Sequence, residues 1–218
     1  MRGLLGTDLP LVAAPMAGGP TTPELVEAAT RAGAFAFLAA GYQGPQAMLD
    51  EIAGLRVSES FGVNLFVPQY DSSGALPRMD LAAFRAYAED LAPDADALGV
   101  RLVNDPVADD DHWHAKVDLL TQHPVPVVSL TFGLPDAATI SALRKAGTTV
   151  LATVTNAGEA REAEAAGVDG LIVQGPRAGG HSATFDPTRT PGSAPAHEVV
   201  RAVRATTSLP LVATGGVD

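Results

Sequence analysis

The chain has no cysteine, which excludes disulfides and thiolate-bound metals. Lysine is nearly missing: of 14 basic residues only Lys116 and Lys145 are lysines, a bias of composition rather than of function. Acids outnumber bases by 25 to 14, and the net charge of −11 argues against a nucleic-acid partner, which a basic face would mark. It leaves small anions open, because backbone N–H groups can hold a phosphate without a basic surface. No apolar stretch approaches the roughly 18 residues of a membrane span. The opening residues, Met1 to Asp8, carry too short an apolar run for a signal peptide. The expectation is a soluble, cytoplasmic protein without a membrane partner. No Gly-x-Gly-x-x-Gly follows the first apolar run, so the dinucleotide fingerprint is missing too.

What is present is a repeating pattern. Hydrophobic residues make up 46% and charged residues 18% of the 218, a globular balance with enough chain for one sizeable core. Strand-like apolar runs fall at 10–14, 34–39, 61–67, 125–130, 149–154, 170–173 and 209–213. Between them lie helical segments. One starts at Thr21-Thr22-Pro23-Glu24, with hydroxyl caps, a proline and an acid in the first turn. Others span 45–53, 81–91, 107–121, 136–146, 156–166 and 196–205, while 68–77 reads as a turn-rich loop and 98–103 is ambiguous.

The strands are apolar throughout rather than alternating, which means burial on both faces of a parallel sheet covered by helices. A doubly wound sheet and a (β/α)8 barrel both satisfy this. The units are about 30 residues long, as βαβ units are. Polar or glycine signals follow strand after strand: Pro15-Met16, Asn64, Ser129, Thr153, Gln174 and Gly215-Gly216. Barrel enzymes draw their sites from the ends of many strands in this way. The expected fold class is therefore α/β, a (β/α)8 TIM barrel over residues 1–218, truncated after the seventh strand and lacking the eighth β/α unit.

The densest chemical signal is Gln174-Gly175-Pro176-Arg177-Ala178-Gly179-Gly180-His181, directly after a buried strand. Glycines allow close backbone approach and positive φ, and a histidine exchanges protons near neutral pH. Gly215-Gly216, after strand seven, is either a plain tight turn or a phosphate loop of the kind found there in barrels. Asn64 and Gln174 are amides in apolar surroundings that must find partners. Either they edge a heterocycle with mixed donors and acceptors, or they bond neighbouring backbone. Met16 touches a flat ring or fills the core. His112 and His114 beside 109–111 give no metal site, since residues two apart on a helix diverge. The acids instead complement a helix start, and Trp113 packs the helix.

Six segments taken together resemble the nitronate monooxygenase family: Ala14-Pro15-Met16-Ala17-Gly18, 61–66, 128–133, 152–155, 169–181 and 211–217. The segment from Gln174 to His181 is the most specific, and the resemblance spans essentially the whole chain. It implies a single FMN-binding barrel domain that oxidises alkyl nitronates with O2 to a carbonyl compound and nitrite. It implies flavin contacts from Asn64 and Gln174, from Gly179 and Gly216 (the latter near the phosphate), and from the first-strand segment Ala14, Pro15 and Met16. Thr153, Gly180 and Gly215 join them as cofactor-site candidates. The catalytic residue it implies is His181, acting as a base or as a hydrogen-bond donor to the nitro oxygens. The partners implied are a small nitronate and O2. Two other readings stand beside this one: a flavin enoyl-acyl-carrier-protein reductase, and an inactive remnant.

Overall fold

The computed structural model describes residues 4–69, 80–103, 105 and 109–217. They form two compact units, one of Met1–Val67 with Asp111–Asp218 and one of Pro68–Asp110. In chain order the elements are β1 (Val12–Ala13), α1 (Pro23–Arg31), β2 (Phe35–Ala39), α2 (Pro45–Gly54) and β3 (Phe61–Phe66). Next come α3 (Leu81–Leu98), α4 (Trp113–Gln122), β4 (Val127–Thr131), α5 (Ala137–Lys145) and β5 (Thr149–Val154). The first unit closes with α6 (Ala157–Ala166), β6 (Gly170–Gln174), α7 (Ala196–Arg204) and β7 (Leu211–Thr214).

All seven strands pair in parallel in the consecutive order β1 to β7. The order is that of a (β/α)8 barrel through its seventh strand, as expected. The outward positions Val63, Leu65, Val128, Leu130, Val150 and Leu171 pack under the helices against Met48, Leu120, Ile140, Leu143 and Val203. The inward positions Phe35, Phe37, Val127, Leu151, Ile172 and Val212 form a second cluster with Leu5. On a flat sheet β2 and β7 would lie roughly 24 Å apart, five strand spacings. One cluster drawing on β2, β4, β5, β6 and β7 requires the sheet to curl around its inner face.

Local chemistry sets the element ends. Thr22, Asp136 and Asn156 cap α1, α5 and α6 with side-chain oxygens. Gly167 ends α6 at φ 90°. Strands β4 and β7 begin one residue after Pro126 and Pro210, later than the apolar runs suggest, because proline cannot donate to a ladder. The fourth helix begins at Trp113 rather than 107, since Asp111 and His112 both hold left-handed φ values of 52° and 55°. Residues 107 and 108 of that segment, and 70–77 of the expected loop, lie outside the described residues. In the second unit α3 continues through Pro93 to a left-handed cap at Gly99, beyond the expected end at 91. No helix among the described residues is long and apolar enough to cross a membrane.

Candidate active site

Side chains alternate across a strand, so the inner positions can be counted from the inner cluster. They are Asn64 on β3, Ser129 and Thr131 on β4, Thr153 on β5 and Gln174 on β6. The inner face is thus apolar near the amino ends and polar near the carboxyl ends. Asn64 is 4% exposed. Its Nδ2 donates to Ser129 O at 3.2 Å, Ser129 Oγ at 2.9 Å and Thr131 Oγ1 at 2.8 Å. A carbonyl oxygen only accepts, so Ser129 O fixes the amide with Nδ2 toward β4. Among the described residues Oδ1 then takes no hydrogen bond, an acceptor left over for a ligand donor. Thr131 Oγ1 stands 3.5 Å from Thr153 Oγ1 and extends the polar row to β5.

Gln174 at the end of β6 spends its amide on the loop that follows. Its Nε2 donates to His181 O at 3.2 Å, and its Oε1 accepts from Ala183 N at 2.7 Å. The buried carboxylate of Glu159 takes over from there, accepting from Thr184 Oγ1 at 2.8 Å and Phe185 N at 3.2 Å. It also accepts from Thr155 N and Oγ1. The loop is therefore pinned at the backbone of an exposed His181 and at the residues that follow it. Gly179 and Gly180 do not take positive φ, and a Cβ on either would meet open space. Of the two uses expected of glycine here, positive φ is not made of this pair, and the loop is held by Gln174 and Glu159.

Glycine is required one turn away. A methyl on Gly215 would collide with the Gly175 carbonyl oxygen, and one on Gly175 would lie 2.5 Å from the Gly215 oxygen. The turns after β6 and β7 meet backbone to backbone, joined by Gly175 N donating to Thr214 O at 2.9 Å. Gly215 and Gly216 hold φ 79° and 88°. Among the described residues neither N–H donates to a loop carbonyl, and successive backbone N–H groups in a turn suit an anion.

An aromatic row crosses the strand ends. Tyr42 and Phe66 have ring centroids 5.3 Å apart, Phe66 and Phe132 4.9 Å, and Phe132 and His181 6.3 Å. The Phe66 ring occupies the place a side chain on Gly41 would need. Beneath Tyr42, the ammonium of buried Lys116 donates to Ala40 O at 2.7 Å and pairs with Asp111 Oδ2 at 2.8 Å. Asp111 Oδ1 accepts from Tyr42 N at 2.9 Å. Asp111 thus ties the loop after β2 to Lys116 near the start of α4. Trp113 is buried as helix packing.

Asn64, Thr131, Phe132, His181 and Gln174 are joined by consecutive contacts, so three of the expected residues share one region. Thr153 joins them through Thr131; Gly215 abuts Gln174 and Gly175, and Gly216 lies against Arg177 of the same loop. Ala14, Pro15 and Met16 lie past β1 at the sheet edge, where Met16 N donates to Thr21 Oγ1 and its side chain is 43% exposed. It does not fill the core. A cleft of about 360 Å³ under the β6–α7 loop takes in Gln174, Thr155, Ser182, Arg189 and Glu198, but not Asn64 or His181. Among the described residues no group of three His, Asp or Glu gathers that could hold a metal. Ser129, Thr131 and Phe132 escaped selection as site residues. The first two were findable, being the polar alternate positions of an otherwise apolar strand; the role of Phe132 depends on a distant loop.

The comparisons with known proteins follow this geometry. The chain is 32% identical over 217 residues to a probable nitronate monooxygenase of Staphylococcus aureus, matching 98% of this chain and 59% of that protein. It therefore spans about three fifths of the length of the curated relatives it matches. Among solved structures it is similar to a nitroalkane oxidase from Streptomyces ansochromogenes, with a TM-score of 0.86 and 40% identity over 96% of this chain and 58% of the other. Similarity to FabK from Thermotoga maritima, TM-score 0.65 at 23% identity over 96% of this chain and 51% of the other, concerns the fold alone. The family model for nitronate monooxygenase matches residues 1–218 from end to end, and with that match the chain belongs to the nitronate monooxygenase family.

Proposed function

We propose that this chain is the cofactor-bearing part of an enzyme that oxidises alkyl nitronates or nitroalkanes with O2, giving a carbonyl compound and nitrite, and that its flavin is FMN. Family membership and the likeness to a nitroalkane oxidase support the reaction class. The observation that carries the cofactor reading is the buried Asn64 amide, held by Ser129 with its acceptor oxygen unused among the described residues. Its setting fits a flat ring with polar edges, apolar below and polar at the rim. The Gly215-Gly216 turn fits a phosphate, with Gly216 beside it and Gly179 and Gly180 on the facing loop. Bound FMN would supply the electron acceptor for this oxidation.

The protein's own residues do the rest. Asn64 Oδ1 would accept from a ring N–H of the flavin and so orient it. Gln174 holds His181 at a fixed height by gripping its backbone. The imidazole of His181 takes the α-proton of a neutral nitroalkane or donates to the nitro oxygens of the anion. The rings of Phe66 and Phe132 exclude water from one side. Met16, Pro15 and Ala14 complete the first-strand side.

The test begins with the visible absorption spectrum of the purified protein, with and without added FMN. Ethyl nitronate or NADH is then added without oxygen. Bleaching by the nitronate and not by NADH is the expected result; bleaching by NADH alone points to an enoyl reductase, and a colourless protein that takes up no FMN overturns the proposal. His181→Asn is expected to keep flavin content and lose turnover on nitroethane. Unchanged turnover removes His181 from this role.

A further inference from the structure

Phe132 follows β4 with φ 75°. That left-handed conformation is rare and strained for a bulky residue. Such strain persists only where surroundings over-determine it, and here they do. One side of the ring packs on Phe66, at 4.9 Å between centroids and 59° between planes. Phe66 in turn is wedged by the bare backbone of Gly41 and by the Tyr42 ring. Tyr42 is itself left-handed, at φ 65°, and its backbone N–H is held by Asp111. The Phe132 ring also meets the His181 ring at 6.3 Å and 83°, an edge-to-face contact.

We propose that Phe132 is a positioning residue for His181, its strained backbone aiming the ring so that it sets the tilt of the exposed imidazole. The clamp by Gln174 fixes only the backbone of His181; the imidazole has freedom about χ1 and χ2 unless something meets the ring. Phe132 is the ring it meets. A Phe in extended conformation would send its side chain elsewhere, which gives the positive φ a purpose. The inference rests on the reading of His181 as the residue that handles the substrate proton.

Two measurements separate the inference from that reading. The first is NMR of the imidazole C–H resonances, with His181 assigned by their loss in His181→Asn. In wild type the Phe132 ring current displaces them; Phe132→Leu is expected to move them by several tenths of a ppm toward free-histidine positions, and Phe132→Tyr to leave them in place. Phe132→Gly, for which φ 75° is unstrained, gives the same readout should the leucine variant not fold. The second is turnover of nitroethane by FMN-loaded protein. Phe132→Leu is expected to lower kcat about tenfold with little change in KM, and Phe132→Tyr to restore it, the pattern of a catalytic group misplaced rather than a substrate less tightly bound. His181 resonances that ignore the loss of the Phe132 ring overturn the inference, whatever the enzyme turns over. Resonances that move while His181→Asn remains fully active leave the tilt standing and overturn the reading of His181.

Discussion

The side-chain nitrogen of Asn64 lies 3.2 Å from the Ser129 carbonyl oxygen and 2.9 Å from the Ser129 hydroxyl, and so ties the buried middle of β3 to β4. Asn64→Leu removes the donor and leaves three acceptors, counting Thr131 Oγ1, without it. Burying unsatisfied acceptors costs about 1–3 kcal/mol. Urea unfolding of the FMN-free protein is expected to register that loss, and FMN titration to show weaker binding as well. A variant as stable as wild type removes the structural half of this account, and one that binds FMN equally well removes the other half.

The two glycine pairs should respond oppositely to a methyl group. Gly215→Ala places a Cβ against the Gly175 carbonyl at φ 79°. The left-handed conformation alone costs roughly 1–2 kcal/mol, and the collision adds to it by pushing the β6 and β7 turns apart. Gly180→Ala meets open space without positive φ, so its stability should stay within about 0.5 kcal/mol of wild type. Thermal unfolding of both proteins checks the contrast, and the reverse order of stabilities contradicts the backbone-contact account of Gly215.

Much of this fold can be read from the chain. Thr22, Asp136 and Asn156 announce their helices because capping is local chemistry, and the apolar runs announce β2, β3 and β5 because burial on two faces leaves no room for alternation. Asn64 and Gln174 are conspicuous for the same reason. Sequence cannot say how an amide is spent. Among the described residues Asn64 keeps an oxygen unused, whereas Gln174 gives both ends to residues seven and nine positions later. The Lys116 contact with Ala40 spans 76 residues, and nothing near either residue hints at it. The left-handed turn at Phe132 is hidden likewise, since its support comes from Phe66, Gly41 and Tyr42 on other loops.

Lys116 offers a direct test of the clamp beneath Tyr42. It is 1% exposed, and its ammonium serves both Ala40 O and Asp111 Oδ2. Lys116→Met retains most of the volume but takes the ammonium away from a mostly buried carboxylate, and breaking such a pair costs about 3–5 kcal/mol. The double variant Lys116→Met, Asp111→Asn should recover part of the loss, because the remaining amide carries no charge. Urea midpoints of the two proteins decide it; a double variant less stable than the single one excludes the buried charge as the main cost.

Acid sensitivity provides a last test, at the cap of the helix that follows the Phe132 turn. Asp136 Oδ1 accepts from Thr139 N at 2.7 Å. That backbone hydrogen bond, with one from the Thr139 side chain, holds the Asp136 carboxyl below its ordinary range. A carboxyl depressed in the folded state stabilises fully above its unfolded pKa of about 4. As the pH falls through the lower folded value the proton binds both states alike and the contribution is gone. Asp136→Ala should therefore cost about 1 kcal/mol at neutral pH, the usual worth of a cap, and progressively less below pH 4. Asp136→Asn keeps an acceptor oxygen without a titrating proton, so its difference from wild type should also shrink as acid is added. Urea midpoints collected from pH 6 to pH 2.5 measure both differences. Were either to stay constant across that range, the stabilisation would belong to the shape of the cap and not to its charge.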